Sequence, residues 1–89
     1  MQITSVSVHK IEKENSRMKG IASVIIDDAF KIRDIRIIQG EEKLFIAMPS
    51  RKAATGEYID IAHPLNQAVR TMFEKAIFDE YKKVENEEN

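Results

Sequence analysis

In the first half of the chain, apolar and polar positions alternate with a period of two. Val6 and Val8 alternate with Ser5, Ser7 and His9 across residues 3–11, the pattern of a half-buried strand. Residues 12–17 are polar and contain Asn15-Ser16, a turn signal. Residues 18–27 predict a second strand. There Ile21, Val24, Ile25 and Ile26 place apolar groups on both faces, as in a central strand covered twice. Asp27-Asp28 makes the next turn. Residues 29–38 predict a third strand with a change of parity: Phe30 and Ile32 share one face, Ile35 and Ile37 the other. A bulge near Arg33-Asp34 would bring both pairs to one side. A turn at residues 39–43, around Gly40, leads to a fourth strand over residues 43–48. Residues 58–61 predict a short fifth.

After Pro64 the period changes. Leu65, Val69, Met72, Phe73, Ala76, Ile77, Tyr81 and Val84 recur at steps of three and four, which predicts an amphipathic helix over about residues 64–83. Pro64 suits a first helical turn, and His63 before it is biased toward the extended conformation of an N-cap. Asp60 is expected to act on the free N–H groups of that helix start. Residues 84–89 have nothing to bury and are expected to fray. The fold class that follows is α+β. A twisted antiparallel sheet of about five short strands packs against a long C-terminal helix, in a single domain over residues 1–84 with an acidic flexible tail at 85–89.

Size changes this picture in one respect. Eighty-nine residues bury a modest fraction of their surface, and with no cysteine neither a disulfide nor a thiolate zinc site can compensate. Oligomerisation is the remaining source of burial, so a homodimer is expected. The first residues lack the basic and apolar regions of a signal peptide, and no apolar run approaches the ~20 residues of a membrane span. The expectation is a soluble, cytoplasmic protein without membrane contact.

The net charge is −1, low for a nucleic-acid binder. Its distribution matters more. Residues 1–60 carry a net of +1 and residues 61–89 a net of −2, and without residues 85–89 the body is +2. A basic patch must therefore be local. The best candidate is Ser50-Arg51-Lys52, which follows the strand ending at Pro49 and precedes the turn residue Gly56. Two cations and a hydroxyl on an exposed hairpin tip suit phosphate contacts; the plain alternative is a solvated loop. Arg33 and Arg36 either line a groove for a phosphate backbone or pair with Asp27, Asp34 or Glu57 across the sheet. Lys31 is read as an ordinary exposed cation. Two readings stand for Arg70: an extension of the basic surface, or an ion pair with Glu74 four residues on.

Other chemistry finds little support. His9 and His63 have no second ligand at helical spacing, and Asp27-Asp28 reads as a turn facing water. There is no P-loop, HExxH, GxSxG or GxGxxG, so neither an enzyme, a cofactor nor a small-molecule substrate is expected. Aromatic residues are few, which favours phosphate contacts over base stacking, although Tyr58 near the hairpin has room to be exposed.

The run Leu44-Phe45-Ile46-Ala47-Met48-Pro49-Ser50-Arg51-Lys52, with Gly56-Glu57-Tyr58 and Asp60-Ile61-Ala62-His63-Pro64-Leu65-Asn66, resembles the stage V sporulation protein G (SpoVG) family of bacterial septation regulators. Arg17 to Ser23, Phe30, Asp34 to Ile38, Arg70 and Asp79-Glu80-Tyr81 also match, so the resemblance covers roughly residues 1–83. It departs from the family in its short acidic tail and in a less basic first strand. The resemblance implies a small α+β dimer that binds DNA and RNA and regulates genes, with a role in septation and sporulation. Ser50, Arg51, Lys52, Arg33, Arg36 and Arg70 are the residues expected to meet nucleic acid. The second hypothesis is a protein-interaction module of the division machinery with no direct nucleic-acid contact.

Overall fold

The computed structural model describes residues 1–87. Its elements are β1 (Ile3–Lys10), β2 (Met18–Ile26), β3 (Phe30–Gln39), β4 (Leu44–Ala47), β5 (Ser50–Lys52), β6 (Tyr58–Asp60) and α1 (Gln67–Glu87). β1 to β4 form an antiparallel sheet in sequence order, so each strand pairs with the next through a local turn. β5 and β6 form a separate two-stranded ribbon. The expected fifth strand therefore does not extend the main sheet. It pairs with Ser50–Lys52, which is itself a strand and not the expected loop.

Turn chemistry sets these pairings. Asp27 and Asp28 both take a φ of 53°, and the amide of Ala29 donates to the carbonyl of Ile26 at 2.9 Å. Positive φ at both central residues is what tight hairpins demand, and Asp tolerates it. The chain start ties down this turn: Gln2 N donates to Asp27 Oδ1 at 2.9 Å, and Asp28 N donates to Thr4 Oγ1 at 2.9 Å. The acidic pair thus has a structural occupation.

The bulge expected in β3 is present. Ala22 pairs with Ile35 and Val24 with Ile32, so Ser23 faces two residues, Arg33 and Asp34, and Asp34 has a φ of 61°. The extra residue brings Ile32, Ile35 and Ile37 to the core side. It also places Arg33 and Arg36 together on the opposite, open side. Phe30, which shares the parity of Ile32, lies beyond the covered part of the sheet and is 64% exposed.

α1 covers one face of the sheet, chiefly over β1. Phe73, Ile77 and Tyr81, one helical turn apart, are buried with Val8, Ala22, Val24, Ile35, Ile37, Ile46 and Met48. Gly20 lies beneath them in a tight space: a Cβ there would lie 3.2 Å from the His9 carbonyl oxygen and 3.3 Å from the Ile37 side chain. The expected double covering of β2 is corrected. Gly20, Ala22 and Val24 are buried beneath the helix, while Ile21, Ser23 and Ile25 remain half-buried on the open face.

The helix start is also corrected. Asn66, not His63, is the N-cap: its Oδ1 accepts from the amide of Val69 at 2.9 Å. Leu65 precedes the helix and is 91% exposed instead of joining the stripe, and Met72 sits at its exposed rim. At the other end the helix continues to Glu87, beyond the expected residue 83, and Val84, expected to have nothing to bury, packs against the core. The remainder of the expected tail, residues 88–89, lies outside the described residues.

Candidate nucleic-acid interface

The six residues expected to meet nucleic acid fall into three groups. Arg36 and Arg70 brace the corner between β4 and β5. Arg36 Nη2 donates to the Met48 carbonyl and to Ser50 Oγ, each at 3.2 Å. Arg70 Nη2 reaches from the helix to the Ile46 carbonyl at 3.2 Å. Arg70 makes no ion pair with Glu74. Two carbonyls and a hydroxyl near a chain reversal thus receive charged donors, which strengthens those bonds and fixes the direction in which β5 leaves the sheet. Ser50, engaged with Arg36, is not a free hydroxyl at a tip.

Arg51 and Lys52 form the second group. They lie in a strand and not at the turn, which is made by residues 53–57. There Ala53 N donates to Glu57 O at 2.7 Å and Gly56 takes a φ of 93°. Arg51 pairs with Ile59 and Lys52 with Tyr58. Successive residues of a strand point to opposite faces, so these adjacent cations diverge. Lys52 shares a face with Ser50, Tyr58 and Asp60; Arg51 shares the other with Ile59. Both cations are exposed, and neither makes a hydrogen bond or ion pair among the described residues.

Arg33 forms the third group, with Lys31 beside it on the open face of the sheet. Both are exposed and unpaired among the described residues, so the cross-strand ion pairs considered for Arg33 are absent there. Together with Ser7, His9, Ile21, Ser23 and Asp34 they line a depression of about 310 Å³. A second depression, of about 350 Å³, adjoins it at Ile21 and Asp34 and reaches Arg36, Ser50, Tyr58 and Ile61. Lys31, read from the sequence as an ordinary exposed cation, stands on the same face as Arg33. Its signal is parity: it lies two residues before Arg33 on the same face. Tyr58 is 71% exposed, which its place opposite a basic dipeptide does foreshadow.

Burial, and then the charge and hydrogen bonding of Glu85, hold the Tyr81 phenol above its ordinary range, but this group lies under the helix. His63 Nδ1 lies 3.0 Å from the Pro64 carbonyl oxygen, a local contact in the loop before the helix. Among the described residues no three His, Cys, Asp or Glu side chains gather as a metal site, and no helix is long and apolar enough to cross a membrane.

The SpoVG family profile matches residues 1–83. The SpoVG protein of Agathobacter rectalis is 53% identical over 87 residues, covering 97% of this chain and 99% of that protein. That of Clostridium novyi is 54% identical, covering 98% and 86%, and that of Clostridium kluyveri is 54% identical, covering 99% and 91%. The names of all three tie them to septation. The match therefore runs through the sheet, the β5–β6 ribbon and most of the helix, and on that extent and identity the chain belongs to the SpoVG family.

Proposed function

We propose that this chain is a non-enzymatic nucleic-acid-binding regulator with a role in septation and sporulation, acting as a cytoplasmic homodimer. The names of its relatives support the cellular role. One observation supports the molecular one: Arg51 and Lys52 stand exposed and unpaired, among the described residues, on a ribbon separate from the main sheet. Cations that spend no binding energy on breaking internal ion pairs are suited to phosphate contacts. Because phosphate contacts carry no base information, sequence discrimination is low. The eight-residue free edge of β1 favours association, as does the exposed apolar surface of Ile59, Ile61 and Leu65. Two copies of one modest cationic ribbon bind a polyanion better than one.

The test is a salt-titrated binding measurement with duplex DNA and with RNA. Removing one phosphate contact lowers the slope of log K against log salt by about 0.9 on duplex DNA. In a dimer Arg51→Ala/Lys52→Ala removes four cations, so the slope falls by up to ~3.6. A folded double variant with the wild-type slope on every nucleic acid refutes the reading. Sedimentation at micromolar concentration is expected to give about twice 10.2 kDa.

A second reading has its own observation. Leu65 is 91% exposed on the loop before the helix, where a partner protein would bury it. On that reading the chain is an interaction module of the division machinery, and nucleic acid would not bind even at low salt.

A further inference from the structure

The open face of the sheet carries a cationic surface separate from Arg51. Arg33 and Lys31 stand there with Ser7, Ser23 and His9, brought together by strand register: Ser7 pairs with Ser23, and Ser23 faces the bulge that holds Arg33 and Asp34. Their depression continues, through Ile21 and Asp34, into the one beneath Tyr58. Among the described residues, Asp34 is the one carboxylate lining either depression, against Lys31, Arg33 and Arg36. At the far end, Tyr58 and Lys52 are directly paired on adjacent strands and share a face.

We infer that this face is a track for single-stranded nucleic acid, with Lys31 and Arg33 contacting its phosphates and Tyr58 stacking on one base. Three features select that occupant. The cations and hydroxyls are spread along a path instead of gathered around one point, which suits a chain of phosphates better than a single anion. The path ends on a 71% exposed aromatic ring beside a lysine, and an aromatic can stack only on a base that is not already stacked in a duplex. The path also runs along two adjoining depressions in the sheet that share Ile21 and Asp34, a course that a flexible strand can follow. The sugar is not selected by any of these groups, so the shared chemistry is that of a single strand, DNA or RNA. The inference rests on the nucleic-acid reading above but on different side chains.

Fluorescence anisotropy with oligo-dT and oligo-U of about twelve nucleotides, within the site sizes usual for single-strand binders, tests it in the full-length protein beside a duplex of the same length. Lys31→Ala/Arg33→Ala is expected to lower the single-strand salt slope by about 1.4 for each track that a strand occupies, two contacts at about 0.7 each. Tyr58→Ala is expected to weaken single-strand binding roughly 5- to 150-fold with no change in slope. Equal effects on dT and U support a track blind to the sugar and the thymine methyl; an effect on one alone assigns the track to that nucleic acid. Circular dichroism is expected to stay native, since all three side chains are exposed. The inference is overturned if both variants bind single strands as the wild type does. It is also overturned if Lys31→Ala/Arg33→Ala changes sedimentation while single-strand binding stays intact, which would make the face an interface between copies. Either outcome leaves the reading based on Arg51 and Lys52 standing or falling on its own variant.

Discussion

Arg36 and Ser50, fourteen positions apart, are joined by a 3.2 Å hydrogen bond across the corner where the chain leaves the sheet for the ribbon. The same guanidinium also holds the Met48 carbonyl. Arg36→Ala removes both bonds and leaves a part-buried carbonyl without its donor, at a cost of about 1–3 kcal/mol. Ser50→Ala removes one bond and costs about 1 kcal/mol. Thermal unfolding measures both. Ser50→Ala is expected to leave the salt slope for DNA unchanged, because its hydroxyl already serves Arg36.

Phe73 anchors the helix. Its ring is buried in one cluster with Ile35, Ile46 and the rest of the core, so Phe73→Ala is expected to cost roughly 3–5 kcal/mol. In a domain of this size that is a large share of total stability. An unchanged denaturation midpoint would show that the helix docks elsewhere.

Gly20 occupies a tight space within the sheet, bounded by the neighbouring strands. Gly20→Val places new atoms 3.3 Å or less from the Ile37 side chain and the His9 carbonyl. The expected loss is about 1–3 kcal/mol from overpacking, read in urea unfolding. A neutral result would mean that the Ile37 side chain gives way without loss of packing.

Asn66 holds the first turn. Asn66→Ala is expected to cost about 0.5–2 kcal/mol, whereas His63→Ala should cost less, since His63 caps no helical amide. Comparing the two variants by thermal unfolding separates the cap from its neighbour.

Tyr81 gives an alkaline signature. Burial first, and the Glu85 carboxylate second, raise its pKa above the ordinary 10.0, while Lys10 works the other way. The folded state therefore holds the phenol proton more tightly than the unfolded chain. Its contribution is fully present below pH about 10 and is lost as pH rises through the folded pKa. Tyr81→Phe is expected to flatten the decline in stability above that pH, as followed by unfolding at several alkaline pH values.

The parts of the fold readable from sequence are those in which burial leaves a periodic trace. The bulge is legible because Phe30 and Ile32 stand at one parity and Ile35 and Ile37 at the other. The helix body is legible in Phe73, Ile77 and Tyr81. β5 is not, since Ser50-Arg51-Lys52 has no apolar alternation. Its strand is held instead by the turn at Gly56, by Arg36 and by the amide of Ile61 donating to the Pro49 carbonyl at 2.7 Å. The helix start is ambiguous in sequence because Pro64 and Asn66 are both good start signals and only the amide of Val69 decides between them. The contacts of the expected site residues are not legible in sequence: Arg36 and Arg70 meet backbone carbonyls. Whether an arginine meets solvent or a backbone carbonyl depends on which strands fold beside it, and neither Arg36 nor Arg70 carries a local mark of that.

The divergence of Arg51 and Lys52 makes the length of the Pro49–Ser50 junction an electrostatic variable. One residue inserted there that slid β5 by one position along β6 would turn β5 over relative to its partner strand. Arg51 would then face the tyrosine side and Lys52 the isoleucine side. Net charge, composition and hydropathy would barely change, yet the planar, fork-shaped cation and the compact ammonium would have exchanged places. In this ribbon, spacing along the backbone decides which cation each face presents, and a comparison of charge content alone would not detect the exchange.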